Sequence, residues 1–254
     1  MKVSFRTKAI IIITVLAIFL SFGGYYAMEY YRYRSFEKKI LSSDPTERDM
    51  TIRSLVANGL ASMPFINHCL QSDNKELFDN ACLILIEMLS LEGSPAANAP
   101  LYTPGPDTPQ TDRRVVAIKS YIRLSEIGRD VFPFLIAHLE DTRISMPVDA
   151  VDNPPTVGLA CFYIIERNVE DHYYKNKSPR ETASGGRGHQ PAFLTIKNIR
   201  NWWQTHSNMT LKEMQIEAVQ FCISEEIKRG FVSNEQETEI LGKLRERLKE
   251  LDAE

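Results

Sequence analysis

The sequence predicts an all-α protein in which short helices stack as an α-solenoid. Its main support is a duplication: GLASMPFINHCLQSD and ACLILIE lie in residues 59–91, and GRDVFPFLIAHLEDT and ACFYIIE lie in residues 128–168. The glycines that open the two copies are 69 residues apart, whereas the alanines that open the second halves are 79 apart. The second copy therefore carries ten extra residues between its halves. Recurring helical patterns are typical of solenoids, in which each unit buries its apolar face against its neighbours.

The N-terminus predicts a membrane anchor. A basic segment, residues 1–8, precedes residues 9–28, which are 20 uncharged residues. About 20 apolar residues let a helix cross a bilayer. We therefore interpret residues 9–28 as a single transmembrane signal anchor that places the following domain outside the cytoplasm. Ser21 and Gly23 offer small residues to a signal peptidase, so a cleaved signal peptide and a secreted or periplasmic protein form the alternative.

A juxtamembrane helix or linker is predicted at residues 29–44. Its helical pattern persists to about Leu41, and it carries several cations. Five tyrosines around the end of the anchor fit an interfacial aromatic belt. They are Tyr25, Tyr26, Tyr30, Tyr31 and Tyr33.

The predicted repeat domain spans residues 45–168. Its first helix runs from Pro45 to Asn58, because Asp44 is an N-cap, Pro45 suits the first helical position and Gly59 stops the helix. Two segments interrupt the domain: residues 92–111 contain five prolines, which exclude helix and central strand, and residues 141–155 hold the ten inserted residues. Spaced apolar residues predict the other helices at 63–70, 77–89, 115–127, 132–139 and 157–165.

The C-terminal part is predicted to be a polar, Gly-rich loop at residues 169–191 followed by helices at residues 192–254 that pack on the solenoid. Thr210 and Glu213 form a capping box that opens one of these helices. An earlier helix is predicted from a one-sided spacing of Phe193, Ile196, Ile199 and Trp203. The last helix has a narrow apolar stripe at Ile240, Leu241, Leu244, Leu248 and Leu251.

Residues 64–88 and 133–167 resemble the HEAT family of helical repeats. That family places a Pro and spaced Leu in its first helix, an Asp at the turn and an Ala with spaced aliphatic residues in its second helix. The matching residues are Pro64, Leu70, Asp73 and Ala81 in the first copy and Pro133, Leu139, Asp141 and Ala160 in the second. The Arg that such repeats often carry early in the second helix is missing from both copies. The resemblance implies a degenerate, right-handed helical array of the kind found in small membrane-anchored or exported bacterial proteins, and partner binding without attached chemistry.

The composition argues against nucleic-acid binding, and the cysteine spacing argues against a zinc or redox site. A formal net charge of −3 and a pI near 6.0 give no basic footprint for nucleic acid. The four cysteines lack the close pairs of zinc and redox sites. Cys82 and Cys161 occupy equivalent repeat positions, and stacked helices lie about 8–10 Å apart, beyond disulfide reach. We therefore predict four buried thiols outside any disulfide.

The segment from Glu166 to His172 is the nearest thing to a catalytic or metal-binding cluster. One hypothesis is an anchored hydrolase or metal-dependent enzyme that uses Glu166, Glu170, Asp171 and His172, and the simpler interpretation is a solvated helix end. The Gly185–His189 segment is similarly either a backbone nest for an anion or a plain loop. We predict no metal site and no cofactor.

We expect this protein to be a membrane-anchored, non-enzymatic scaffold or adaptor that binds a protein partner. The loops at residues 92–111 and 141–155 emerge between repeat helices, where solenoids often bind partners. Three aspartates in the second loop are candidates for calcium, although solvated turns are the simpler interpretation. An alternative is self-association through the apolar stripe of the last helix. The candidate partner-binding residues are Tyr102, Asp149, Asp152, Arg187, His189 and Trp202.

The two adjacent tryptophans are expected to differ in burial. Successive residues of a helix point about 100° apart, so Trp202 and Trp203 face different directions. Trp203 follows the apolar stripe and is expected in the core. Trp202 is a candidate exposed contact residue, although core packing at the rim is the simpler interpretation for both tryptophans.

Overall fold

The computed structural model describes residue 28 and residues 30–92, 112–145, 156–171, 192–231 and 233–253. Every regular element in these ranges is a helix, and their β pairing consists of two isolated bridges. The all-α prediction is therefore confirmed. Of the predicted anchor, only Met28 lies among these residues, and no helix within them has the length and apolar character needed to cross a bilayer.

Contacts divide the chain into two compact units, Met1–Ala81 and Cys82–Glu254. The first contains α1 (residues 30–40), α2 (Pro45–Ala57), α3 (Met63–Leu70) and the beginning of α4 (Lys75–Glu87). The predicted start of α2 is confirmed, because the backbone N–H of Thr46 donates to Asp44 Oδ1 at 2.9 Å. Buried Ile40, Leu55, Phe65 and Ile66 contribute to the core of this unit.

The helix α1 packs on α3 through aromatic side chains. The ring centroids of Tyr33 and Phe36 lie 5.6 and 5.3 Å from that of Phe65. Glu37 Oε1 lies 2.7 Å from His68 Nε2, which adds a polar contact beside the rings. Tyr33 is therefore partly buried by its aromatic partner on α3.

Within its described residues, the second unit continues with the helices α5 (Arg113–Ile127), α6 (Phe132–Ala137), α7 (Val157–Val169), α8 (Ile199–His206), α9 (Leu211–Arg229) and α10 (Asn234–Ala253). The helix α7 contacts α5, α6 and α9. Nine of its thirteen residues are buried. The sequence makes α7 apolar on nearly all sides, which suits a helix surrounded by others.

The helices α9 and α10 form a pair with its own apolar cluster. Val219 and Cys222 of α9 pack with Ile240, Leu244 and Leu251 of α10. The predicted capping box of Thr210 and Glu213 is present, and Gly230 ends α9 with a φ of 72°. The apolar stripe of α10 therefore packs against α9 of the same chain. It does not form the exposed apolar surface on which self-association was hypothesised.

One helix starts later than its apolar spacing predicts. The one-sided spacing from Phe193 to Trp203 predicted a continuous helix, but α8 begins at Ile199. The side chain of Asn198 accepts a hydrogen bond from Thr195 N at 2.7 Å and donates one to the Phe193 carbonyl at 3.1 Å. Such local side-chain bonds favour a turn over helical backbone bonds.

The two repeat copies have the same local structure. In each, a glycine with positive φ begins a short 3₁₀ turn, and a helix with Pro in its first turn follows; the glycines are Gly59 at 56° and Gly128 at 76°. Only glycine adopts such φ values without strain, which explains its place in the repeat. In the second halves, Ala81 and Ala160 are both buried. The stacking of the copies as a solenoid stays a prediction.

Candidate functional site

One long excursion of the chain begins, and a second one begins and ends, at one place in the second unit. Leu91 N donates to the Ile144 carbonyl at 2.7 Å, and Ser90 pairs with Ser145 in an isolated antiparallel bridge. Ile144 forms a second bridge with Thr156. The described residues that precede 93–111 therefore lie beside those that border 146–155. We call residues 90–92, 141–145 and 156–158 the loop junction.

An arginine clamps the loop junction to α4. Arg143 Nη1 and Nη2 donate to the two carboxylate oxygens of Glu87 at 2.6 and 2.9 Å. Arg143 Nε and Nη2 also donate to Asp141, at 3.0 and 2.6 Å. Bidentate arginine–carboxylate pairs fix orientation as well as distance. The guanidinium, whose side chain is 28% exposed, thus ties the end of α4 to the turn that precedes the second excursion.

The electrostatics of the clamp favour its charged form. Hydrogen bonds to Asp141 and then to Glu87 raise the pKa of Arg143. Burial alone would raise the pKa of Asp141, but hydrogen bonds from the side chain and backbone of Arg143 outweigh it, so the pKa of Asp141 is lowered. Both groups therefore remain ionised at neutral pH.

A glycine lets α7 approach the loop junction closely. Gly158 N donates to the Asp141 carbonyl at 2.9 Å, and a Cβ on Gly158 would lie 2.2 Å from the Leu139 carbonyl oxygen. Val157 N donates to the Arg143 carbonyl at 2.8 Å beside it. The sequence analysis missed the role of Gly158. The available signal was a glycine at the start of an otherwise apolar helical pattern.

The candidate partner-binding residues flank different ends of α7. Tyr102, Asp149 and Asp152 lie outside the described residues, within the two excursions from the loop junction at the N-terminal end of α7. Arg187 and His189 also lie outside them, in residues 172–191, which follow the C-terminal end of α7. A helix of thirteen residues is about 20 Å long, so the flanks of these two sets are well separated.

The acidic residues at the end of α7 are buried, and the expectation of a solvated helix end is wrong. Glu166, Glu170 and Asp171 are all buried. Glu170 Oε1 accepts a hydrogen bond from Leu194 N at 2.9 Å, and Asp171 Oδ2 accepts one from Arg247 Nη2 at 2.8 Å. These contacts join the two ends of the excursion at residues 172–191 to the framework.

The described residues do not complete the catalytic or metal-binding cluster hypothesised for Glu166, Glu170, Asp171 and His172. His172 lies outside the described residues. In the part of the chain that is described, no three His, Cys, Asp or Glu side chains are grouped to hold a metal ion. The buried Arg247 was not predicted from the sequence. Its Nη1 lies 2.9 Å from Glu250 Oε2, and its Nη2 lies 2.8 Å from Asp171 Oδ2. It was hard to foresee, because it lies 76 residues from Asp171 in the chain.

Both tryptophans pack against the protein, and the exposed-contact alternative for Trp202 is wrong. Trp202 is only 8% exposed, and its ring stacks on His206 with centroids 5.1 Å apart. Trp203 is partly buried and packs edge-on against Phe132 at 5.8 Å. Residues 199, 202, 203 and 206 of α8 follow the i, i+3, i+4, i+7 spacing and therefore share one face of the helix. Trp202 is therefore a packing residue and does not offer an exposed contact.

The buried-thiol prediction is confirmed. Cys69, Cys82, Cys161 and Cys222 are all buried, and none forms a disulfide. Burial, followed by the charge of Glu37, raises the pKa of Cys69 to about 12. Burial, followed by the charge of Asp141, raises the pKa of Cys161 to about 12. Thiols with a raised pKa are poor nucleophiles at neutral pH.

The chain matches no protein-family model, and no curated protein or solved structure matches it. The likeness to HEAT repeats therefore rests on the motif residues of the two copies.

Proposed function

We propose that this protein is a membrane-anchored, non-enzymatic scaffold that binds a protein partner through the two excursions of the loop junction. Residues 9–28 act as the anchor, and the helical domain lies outside the cytoplasm. The observation that carries the proposal is the shared origin of residues 93–111 and 146–155, tied by the Leu91–Ile144 hydrogen bond and the bridges beside it.

A binding role suits this arrangement for a physical reason. Excursions of 19 and 10 residues are long for connections between packed helices, and long loops on a rigid framework commonly carry function. The Arg143 clamp fixes the described residues from which both excursions begin. Five prolines in residues 92–111 reduce the conformational freedom that would be lost on binding.

The contacts of the acidic residues favour the scaffold over the enzyme alternative. Glu170 and Asp171 are two of the carboxylates that the hydrolase or metal-enzyme alternative would use at the end of α7. Their contacts with Leu194 N and Arg247 give each a structural role instead. A carboxylate held by an arginine is a weak candidate for proton transfer or metal binding.

Deletion of residues 96–110 from the full chain tests the proposal. We expect loss of the co-purified partner from mild-detergent extracts, measured by mass spectrometry, with unchanged helical circular dichroism. The matched control deletes fifteen residues, 172–186, from the excursion at the other end of α7, leaves Arg187 and His189 in place, and should keep the partner. Retention of every co-purified protein by the first deletion, or equal losses from both, would contradict the proposed site.

A further inference from the structure

The helix α1 has two chemically different faces. Tyr33, Phe36, Glu37 and Ile40 are partly or fully buried, and the first three contact α3. These positions follow the i, i+3, i+4, i+7 spacing of one helix face. The opposite face leaves large side chains exposed: Tyr31 is 72% exposed, and helical Met28 just before α1 is 69% exposed.

Further along the exposed side, α1 is basic. Residues 28–40 contain four cations, Arg32, Arg34, Lys38 and Lys39, against the carboxylates of Glu29 and Glu37, a net charge of +2 in a chain whose formal charge is −3. All four cations are exposed. Arg34 Nε also donates to Tyr30 Oη at 3.2 Å, which holds a phenol and a guanidinium together.

We propose that this exposed side of α1, from Met28 and Tyr31 to Lys38 and Lys39, binds the headgroup layer of an anionic bilayer. The inference rests on the proposed membrane anchor, because the uncharged run of residues 9–28 ends where the exposed side begins. Aromatic residues favour the membrane interface, and cations near it are attracted to anionic headgroups. Because the other face of α1 is packed on α3, the first unit is held against the bilayer by a docked helix and not by a flexible linker.

Distance along the helix supports this placement. Tyr31 lies three residues beyond Met28, and Tyr33 lies five beyond it. At about 1.5 Å per residue, the first contact with α3 comes within about 8 Å of Met28. That span is close to the thickness of one headgroup layer, about 5–8 Å. Lys38 and Lys39 then remain within reach of the surface potential, which extends about 8–10 Å at physiological salt.

Spin labels on the full chain in nanodiscs test the inference. The four native cysteines are buried, so the labelled wild-type chain reports the background. We expect a nickel-chelating headgroup lipid to relax a label at Y31C strongly, relative to the same protein in nickel-free nanodiscs of phosphatidylcholine and phosphatidylglycerol. Removal of phosphatidylglycerol should reduce that relaxation. Equal relaxation with and without nickel would overturn the proposal, as would indifference to phosphatidylglycerol.

Two further labels separate this inference from the anchor itself. A label at L16C should collide with oxygen and be shielded from an aqueous nickel complex if residues 9–28 cross the bilayer. Shielding at L16C without relaxation at Y31C keeps the anchor and refutes the headgroup site, whereas an aqueous L16C label refutes the anchor. Paired labels at Y31C and R53C should show a narrow distance distribution, and a broad one would show that α1 leaves α3 on the membrane.

Discussion

The substitution G158A tests the loop junction most sharply, because helix propensity and packing predict changes of opposite sign in the free energy of unfolding. Alanine favours a helix over glycine by up to about 1 kcal/mol, so propensity alone predicts a more stable protein. The structure places the new Cβ 2.2 Å from the Leu139 carbonyl oxygen and 2.7 Å from the carbonyl carbon. Both neighbours are backbone atoms, so no side-chain rotation relieves the clash.

The expected loss follows from the movement that the clash requires. Ordinary contact begins at 3.4 Å, so α7 and the turn after Leu139 must separate by about 1.2 Å. That movement would break the hydrogen bond from Gly158 N to the Asp141 carbonyl, now 2.9 Å long. Overpacking costs about 1–3 kcal/mol and a lost hydrogen bond about 1 kcal/mol. After the helix-propensity gain, we expect a net loss of about 2 kcal/mol.

Urea unfolding of the detergent-solubilised full chain, followed by far-ultraviolet circular dichroism, measures this effect. With a slope of about 2 kcal/mol/M, G158A should lower the midpoint by about 1 M. The control is G242A on α10, where a Cβ has no atom within 4 Å, and which should raise stability by up to about 1 kcal/mol. A urea midpoint for G158A equal to that of the wild type, or raised like that of G242A, would refute the close approach of Gly158 to the Leu139 carbonyl group.

Three other predictions concern the clamp, a helix cap and a buried thiol. The R143M protein should lose about 1–2 kcal/mol of unfolding free energy, because Asp141 and Glu87 both lose the partly screened guanidinium with which they pair; an unchanged urea midpoint would contradict this. Since the pKa of Asp141 is lowered in the folded protein, the clamp stabilises above the unfolded carboxyl value of about 3.9, and the wild-type advantage over R143M should fade as the pH falls below it. The T210A protein should lose about 1 kcal/mol through its capping box and T210S almost nothing, as thermal unfolding would measure. Cys161 should react with a thiol reagent at pH 8 only after urea unfolding, and fast labelling of the native protein would contradict its burial.

Features set by neighbouring residues could be predicted from the sequence. The Asp44 cap, the Thr210 capping box and the glycine stops at Gly59 and Gly230 all depend on side chains or φ values within a few residues. The buried character of α7 likewise follows from its own composition. These elements give the all-α class and most helix boundaries without knowledge of the tertiary structure.

Features set by distant residues could not be predicted in this way. The Arg143–Glu87 pair spans 56 residues of sequence and the Arg247–Asp171 pair spans 76. Nothing in the local pattern distinguishes such charges from solvated ones.

Site-specific photocrosslinking tests most directly the claim that the two excursions form one partner-binding surface. A benzoylphenylalanine would replace Tyr102 in one full-length protein and Asp152 in another, each irradiated in native membranes and compared by mass spectrometry. We expect the same protein to be captured from both positions, because both excursions start at the loop junction. Capture of different proteins from the two positions, or of none from either, would contradict the shared surface.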